Sequence, residues 1–276
     1  MPELPEVETV RRGLQPVWEG RRFTRVTCYR ADLRKPFPEG MAQILTGRTV
    51  VRLERRAKYL LVVLSGNLVL IIHLGMSGRM TIADHDDGTV GRHDHVVFVT
   101  DAGVKVAFTD PRRFGLMDLC DGDALDRHPL LAGLGPEPVA DGFTPTVLAQ
   151  ALEGRAAPIK AALLDQKTVA GLGNIYVCES LFRAGIHPER AAGSLSKASI
   201  GKLTEAIKAI LAEAIRAGGS SLKDHQRPDG ELGYFQHSFA VYDREGKPCP
   251  NCTCKGAVVR IVQSGRSTFF CPTRQK

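Results

Sequence analysis

Apolar residues at helical spacing open the chain: Val7, Val10, Leu14, Val17 and Trp18 mark one face of a helix over 5–18. Behind it the period changes to two. Alternating or continuous apolar runs predict strands over 22–30, 48–56, 59–64, 67–73, 78–83, 93–100, 103–109 and 115–119. The most apolar run, YLLVVLSGNLVLIIHLG, is interrupted by Ser65, Gly66 and Asn67. That break predicts a hairpin of two buried strands and not a membrane span. A second hairpin turn stands in TDAGVKV. One helix followed by a run of strands predicts a β-sandwich or barrel over 1–132. The Gly/Pro-rich AGLGPEPVADGFTP reads as an interdomain linker centred on 133–144.

After the linker the period returns to that of helices, over 145–153, 158–165, 174–184 and 196–217. The last carries Ile200, Leu203, Ile207, Ile210, Leu211 and Ile215 on one face. The polar, Gly-rich GGSSLKDHQRPDGELGYFQ predicts a mobile loop, and residues 241–276 predict a small metal-stapled hairpin. The fold class expected is α+β: an N-terminal β-sandwich with its helix, then a helical domain over 145–240 and the terminal hairpin.

At 276 residues the chain suits two domains of ordinary size, and 43% hydrophobic residues are enough to fold them. Lys and Arg exceed Asp and Glu by 37 − 30 = 7, a positive excess compatible with a polyanionic partner. The N-terminus is acidic and has no long apolar core, so no signal peptide is expected. Cys28, Cys120 and Cys178 are scattered, which suggests a reducing compartment, the cytoplasm. Cys249, Cys252, Cys254 and Cys271 cluster at the end, which suggests metal.

The first ten residues, MPELPEVETV, carry two prolines and three glutamates. If Met1 is removed, Pro2 becomes a terminal secondary amine. An α-amino group has a pKa of about 7.7–8.0, so a useful fraction is neutral near pH 7 and able to attack an electrophilic carbon. Glu3 beside it could donate a proton. The alternative reading has an incidental proline and glutamates that complement a helix N-terminus.

MPELPEVETV, RRAKYLL, HLGMSG, DPRRFG, PIKAALLDQ, VAGLGNIYVCESLFRAGIHP, GELGYFQHSFAVYDREGKPC and RIVQSGRSTFFCP occur in this order. Together they resemble the bacterial formamidopyrimidine-DNA glycosylase family over nearly the whole chain. The opening PELPEVET separates it from the related endonuclease VIII branch, which resembles PEGPEI there and acts on oxidised pyrimidines. A non-catalytic DNA-binding protein of the same fold is the other alternative, and intact Pro2, Glu3 and Lys58 argue against it.

The resemblance implies a glycosylase and abasic-site lyase that excises oxidised purines, 8-oxoguanine and formamidopyrimidines, from duplex DNA and cleaves the strand by β,δ-elimination. It implies a helix-two-turn-helix element, and DNA in a basic cleft between the two domains of a monomer. Pro2 would be the nucleophile, Glu3 the acid, Lys58 a catalytic cation, and Arg266 an aid to the last elimination that also binds phosphate. Met76, Arg112 and Phe114 would fill the gap left by an extruded base. His93, Lys160 and Asn174 would contact DNA. One structural zinc is implied, but relatives end in C-x-x-C, whereas here Cys271 is followed three residues on by Arg274. A guanidinium has no acceptor for a metal. Cys252 would then complete a four-thiolate site with Cys249, Cys254 and Cys271. The alternatives are three cysteines plus water or the terminal carboxylate, or no metal.

Overall fold

A computed structural model describes residues 1–220, 233–250 and 256–276. Cys252, Cys254 and most of the expected mobile loop lie outside the described residues. The chain divides into two compact units. The first comprises Met1–Ala132 with the described residues of 217–234, and the second Gly133–Arg216 with the described residues of 235–276.

The first unit holds the helix α1 (Leu4–Trp18), the strand β1 (Phe23–Cys28) and a short helix α2 (Met41–Leu45). Seven strands follow: β2 (Val50–Arg56), β3 (Tyr59–Leu64), β4 (Leu68–His73), β5 (Arg79–Ala83), β6 (Asp94–Thr100), β7 (Lys105–Thr109) and β8 (Leu116–Asp121). They form two antiparallel four-stranded sheets, ordered β1-β6-β7-β5 and β2-β3-β4-β8. Phe23, Phe98 and Phe108 from one sheet and Leu60, Leu70 and Ile72 from the other share one core, which makes the pair a sandwich. Val7, Val10, Leu14 and Trp18 insert the apolar face of α1 into that core. Trp18 meets Phe23 and Phe98 edge-on at centroid distances of 5.2 and 5.1 Å.

Two connections cross between the sheets. Residues 74–78 lead from β4 to β5, and residues 110–115 lead back from β7 to β8. His73 pairs with Leu116 in one sheet and Arg79 with Thr109 in the other, so both crossings leave from one end of the sandwich. The topology thereby brings HLGMSG and DPRRFG together.

The second unit contains α3 (Pro145–Leu152), α4 (Ile159–Leu164), α5 (Asn174–Ala184) and α6 (Lys197–Arg216), then the hairpin of β9 (Val259–Gln263) and β10 (Arg266–Phe270). α6 buries Ile200, Leu203, Ile207, Ile210 and Leu211, the face read from its sequence, while Ile215 is only half-buried. The hairpin rests on α5 through Phe269, Cys178 and Phe182 in one apolar cluster. Among the described residues no helix is long and apolar enough to cross a membrane.

Candidate active site

The first unit buries all three N-terminal glutamates: Glu3, Glu6 and Glu8 are 3%, 2% and 8% exposed. Buried carboxylates need partners. Glu3 is the N-cap of α1, and Glu6 Oε2 accepts the Glu3 backbone N–H at 2.9 Å. Glu6 Oε1 accepts both the N–H (2.8 Å) and the hydroxyl (3.0 Å) of Ser220. Gly219, at φ +77°, lies so close that a Cβ would stand 3.1 Å from the Glu6 side chain. Glu6 therefore fastens the backbone at Pro2 and Glu3, both buried, to residues 219–220. Glu8 faces different partners, accepting from Arg11 at 2.9 Å, Arg12 at 2.8 Å and Arg55 at 3.2 Å. Burial opposes its charge, but the guanidiniums prevail and lower its pKa from 4.5 to about 2.

Lys58 is buried in the two-residue turn between β2 and β3, where Ala57 adopts φ +53° and its carbonyl accepts from Arg55 at 3.1 Å. Close by, His73 ends β4. Burial, the Lys58 ammonium and the Arg34 guanidinium together push the imidazole down to about 4. Gly75 donates its N–H to His73 Nδ1 at 2.9 Å, which leaves the proton of the neutral ring on Nε2. The sequence reading passed over His73, although a polar residue closing an otherwise apolar strand was the available signal.

Met76, Arg112 and Phe114 stand on the two crossings and face solvent, Met76 38% and Phe114 44% exposed. The Arg112 guanidinium lies 5.2 Å from the Phe114 ring centroid. Asp110, fully buried, organises the turn beneath them. Its carboxylate accepts from the Ser77 hydroxyl at 2.6 Å, from Gly115 N–H at 2.8 Å and from Arg112 N–H at 3.3 Å. Gly75 presses on the other crossing so closely that a Cβ would fall 2.3 Å from the Phe114 carbonyl carbon. An exposed methionine, arginine and phenylalanine on a rigid base suit insertion into a base stack. His93 is half-buried and contributes its backbone carbonyl to Asp110 N–H at 2.9 Å. The buried imidazole there is His95, whose Nε2 meets the Asp110 carbonyl at 2.8 Å.

In the second unit, Asn174 is the first residue of α5, after glycines that include Gly171 at φ +91°. Gln166 closes this turn, accepting from Gly171 N–H at 2.9 Å and donating to the Leu172 carbonyl at 2.8 Å. Arg266 is exposed at the tip of the β9–β10 hairpin. Lys160, for which a DNA contact is expected, lies in α4. It is 1% exposed, and its ammonium donates to the hairpin at Ser267 and Thr268.

Cys249 and Cys271 are buried with their Sγ atoms 3.5 Å apart. Thiolates about 2.3 Å from one tetrahedral ion stand roughly 3.8 Å from each other, so this pair fits two ligands of a single zinc. The Arg274 backbone N–H points at Cys271 Sγ (3.4 Å). Its guanidinium turns away to lie 4.8 Å from the Phe182 ring centroid and donate to the Phe182 carbonyl at 3.2 Å.

Two family models match the chain: the formamidopyrimidine-DNA glycosylase N-terminal domain over residues 1–117 and the H2TH domain of the same enzymes over residues 134–226. Proteins named formamidopyrimidine-DNA glycosylase from Cereibacter sphaeroides and Rhodospirillum rubrum are each 58% identical, with both chains covered in full. The crystal structure of the MutM (Fpg) protein of Thermus thermophilus superposes with a TM-score of 0.88 at 41% identity, covering 99% of this chain and 98% of that one. A Lactococcus lactis Fpg variant in complex with Fapy-dG-containing DNA superposes at 0.92 with 35% identity and complete coverage of both chains. The same fold, both family models and full-length identity above one half lead to one conclusion: the chain belongs to the formamidopyrimidine-DNA glycosylase family.

Proposed function

We propose that the chain is a bifunctional DNA glycosylase and abasic-site lyase acting on oxidised purines, 8-oxoguanine and formamidopyrimidines, in duplex DNA. The observation that carries this reading is the N-terminus itself, a buried Pro2-Glu3 pair held by Glu6 in the same unit as Lys58. The Lactococcus lactis complexes with Fapy-dG DNA and with abasic-site DNA support the substrate class.

Removal of Met1 frees the Pro2 nitrogen. That nitrogen attacks the sugar C1′, the bond from C1′ to the base breaks, and the base leaves with a proton. Glu3 protonates the ring oxygen as the sugar opens, and the product is an iminium on Pro2. The iminium withdraws electrons, so the 3′ and then the 5′ phosphate depart by successive eliminations. Lys58 and Arg266 offer positive charge to the departing phosphates. Met76, Arg112 and Phe114 occupy the space of the extruded base, and Asn174 and His93 serve DNA binding. The expected products are free 8-oxoguanine and a one-nucleotide gap with phosphate at both ends. Rapid turnover of an 8-oxoguanine duplex with little turnover of a thymine glycol duplex is the result expected; the reverse preference would place the enzyme with the oxidised-pyrimidine branch.

The same reading includes one structural zinc. Cys249 and Cys271 would hold it with Cys252 and Cys254, the latter two outside the described residues. Zinc would fasten the hairpin to α5 and take no part in the reaction. Elemental analysis should give one zinc per chain, and Cys252→Ser should lower both zinc content and Tm. Unchanged zinc content in Cys252→Ser would remove Cys252 from the ligand set.

A further inference from the structure

The β9–β10 hairpin turns on two residues with positive φ, Ser264 at +49° and Gly265 at +73°, the conformation that matches the twist of its strands. Arg266 follows this turn and pairs with Gln263. A two-stranded ribbon is weakly stable by itself, so the orientation of its tip depends on what holds the base. The next carbonyl along the chain, that of Ser267, accepts two hydrogen bonds from the helices beneath, one from Lys160 Nζ at 3.1 Å and one from Asn174 Nδ2 at 2.9 Å. Lys160 also donates to Thr268 Oγ1 at 2.6 Å, and that hydroxyl itself donates to Gln263 Oε1 at 2.8 Å. Gln263 Nε2 in turn donates to the Pro188 carbonyl at 3.4 Å. One buried ammonium thus bonds β10 directly, next to Arg266, and is linked to β9 through the Thr268 hydroxyl. Its environment is unfavourable to charge, since burial lowers its pKa, the neighbouring Cys178 opposes that, and Arg266 adds to it. A lysine kept there is held by the hydrogen bonds it makes.

We infer that Lys160 is a positioning residue, which holds the hairpin so that Arg266 presents its guanidinium to a DNA phosphate, and that it makes no phosphate contact of its own. This rests on the proposed reading of Arg266 as a phosphate ligand. A lysine that binds phosphate directly and one that acts through Arg266 differ in a double-mutant cycle. The experiment measures binding of the whole chain to a duplex carrying a tetrahydrofuran abasic analogue, from 50 to about 300 mM salt. The proteins are wild type, Lys160→Met, Arg266→Ala and the double variant. Each lost phosphate contact flattens the plot of log K against log salt by roughly 0.9.

The account expects Lys160→Met and Arg266→Ala to flatten the slope equally, and the double variant to match either single one. Additive flattening, roughly 1.8 in the double variant, would make Lys160 a phosphate ligand and overturn the inference. A wild-type slope in Lys160→Met would overturn it as well. Thr268→Val removes one partner of the ammonium and keeps the charge. It should flatten the slope in the same direction, which preserves the test if Lys160→Met does not fold. Wild-type protein that fails to bind the duplex would overturn the functional reading and the inference together, an outcome distinct from additivity.

Discussion

Three glutamates within six residues meet three different fates. Glu3 caps α1 beside the terminal proline, Glu6 fastens that cap to Ser220, and Glu8 gathers Arg11, Arg12 and Arg55. Against the cost of burial, the arginines around Glu8 depress its titration strongly, from 4.5 to about 2, and this sets a pH signature. The folded state binds its proton less readily than the unfolded chain. The stability from Glu8 is therefore complete above pH 4.5 and disappears as pH falls toward 2. Glu8→Gln should lower Tm at pH 7 and flatten the decline of Tm between pH 4.5 and 2. An equally steep acid decline in Glu8→Gln would show that the arginine cluster contributes nothing to acid stability. His73 acts over a neighbouring range. Its pKa of about 4 lies below the ordinary 6.5, so its contribution is complete above 6.5 and falls away toward pH 4, where protonation would remove the acceptor of the Gly75 N–H.

At the scale of elements, the crossings at 74–78 and 110–115 act as one piece because Asp110 accepts from both. Asp110→Ala leaves the buried Ser77 hydroxyl and Gly115 N–H without this acceptor, while the Arg112 N–H keeps Ser77 Oγ at 3.2 Å; the loss is roughly 2 kcal/mol, measurable by urea denaturation. A loss below about 1 kcal/mol would mean that the crossings hold without it. Arg112→Ala and Phe114→Ala leave that base intact. They should lose excision of 8-oxoguanine from duplex by tenfold or more while cutting a preformed abasic site nearly as well as wild type, since no base has to leave the stack there. Equal loss on both substrates would assign the two residues to general binding.

Much at this scale was legible in the sequence. All eight strands of the sandwich lie within two residues of their expected bounds, because long apolar runs separated by Gly, Asn and Asp turns leave few alternatives. α2 was not legible, since five residues are too few to show a period. Asp110, Ser77 and Glu6 were missed for another reason. Ser77 lies 33 residues from Asp110 and Ser220 lies 214 residues from Glu6, so these pairs meet only in the folded chain. The burial of Lys160 was not legible either, since its ammonium is held by a carbonyl and a hydroxyl from a hairpin more than one hundred residues away.

For the whole molecule, the excess of seven positive charges predicts DNA binding that weakens steeply with salt. The central claim is narrower: the reaction runs on the nitrogen of Pro2. While Met1 is attached that nitrogen is an amide with no proton and no free lone pair, so the claim ties activity to the intact mass of the chain. The decisive measurement is borohydride trapping of Met1-free protein on an abasic duplex, with the adduct located by peptide mass. The account predicts a stoichiometric covalent adduct on the peptide beginning at Pro2, and none when an added N-terminal residue blocks the amine. Absence of adduct from verified Met1-free protein, an adduct confined to Lys58 or another lysine, or full trapping by the blocked chain would contradict it.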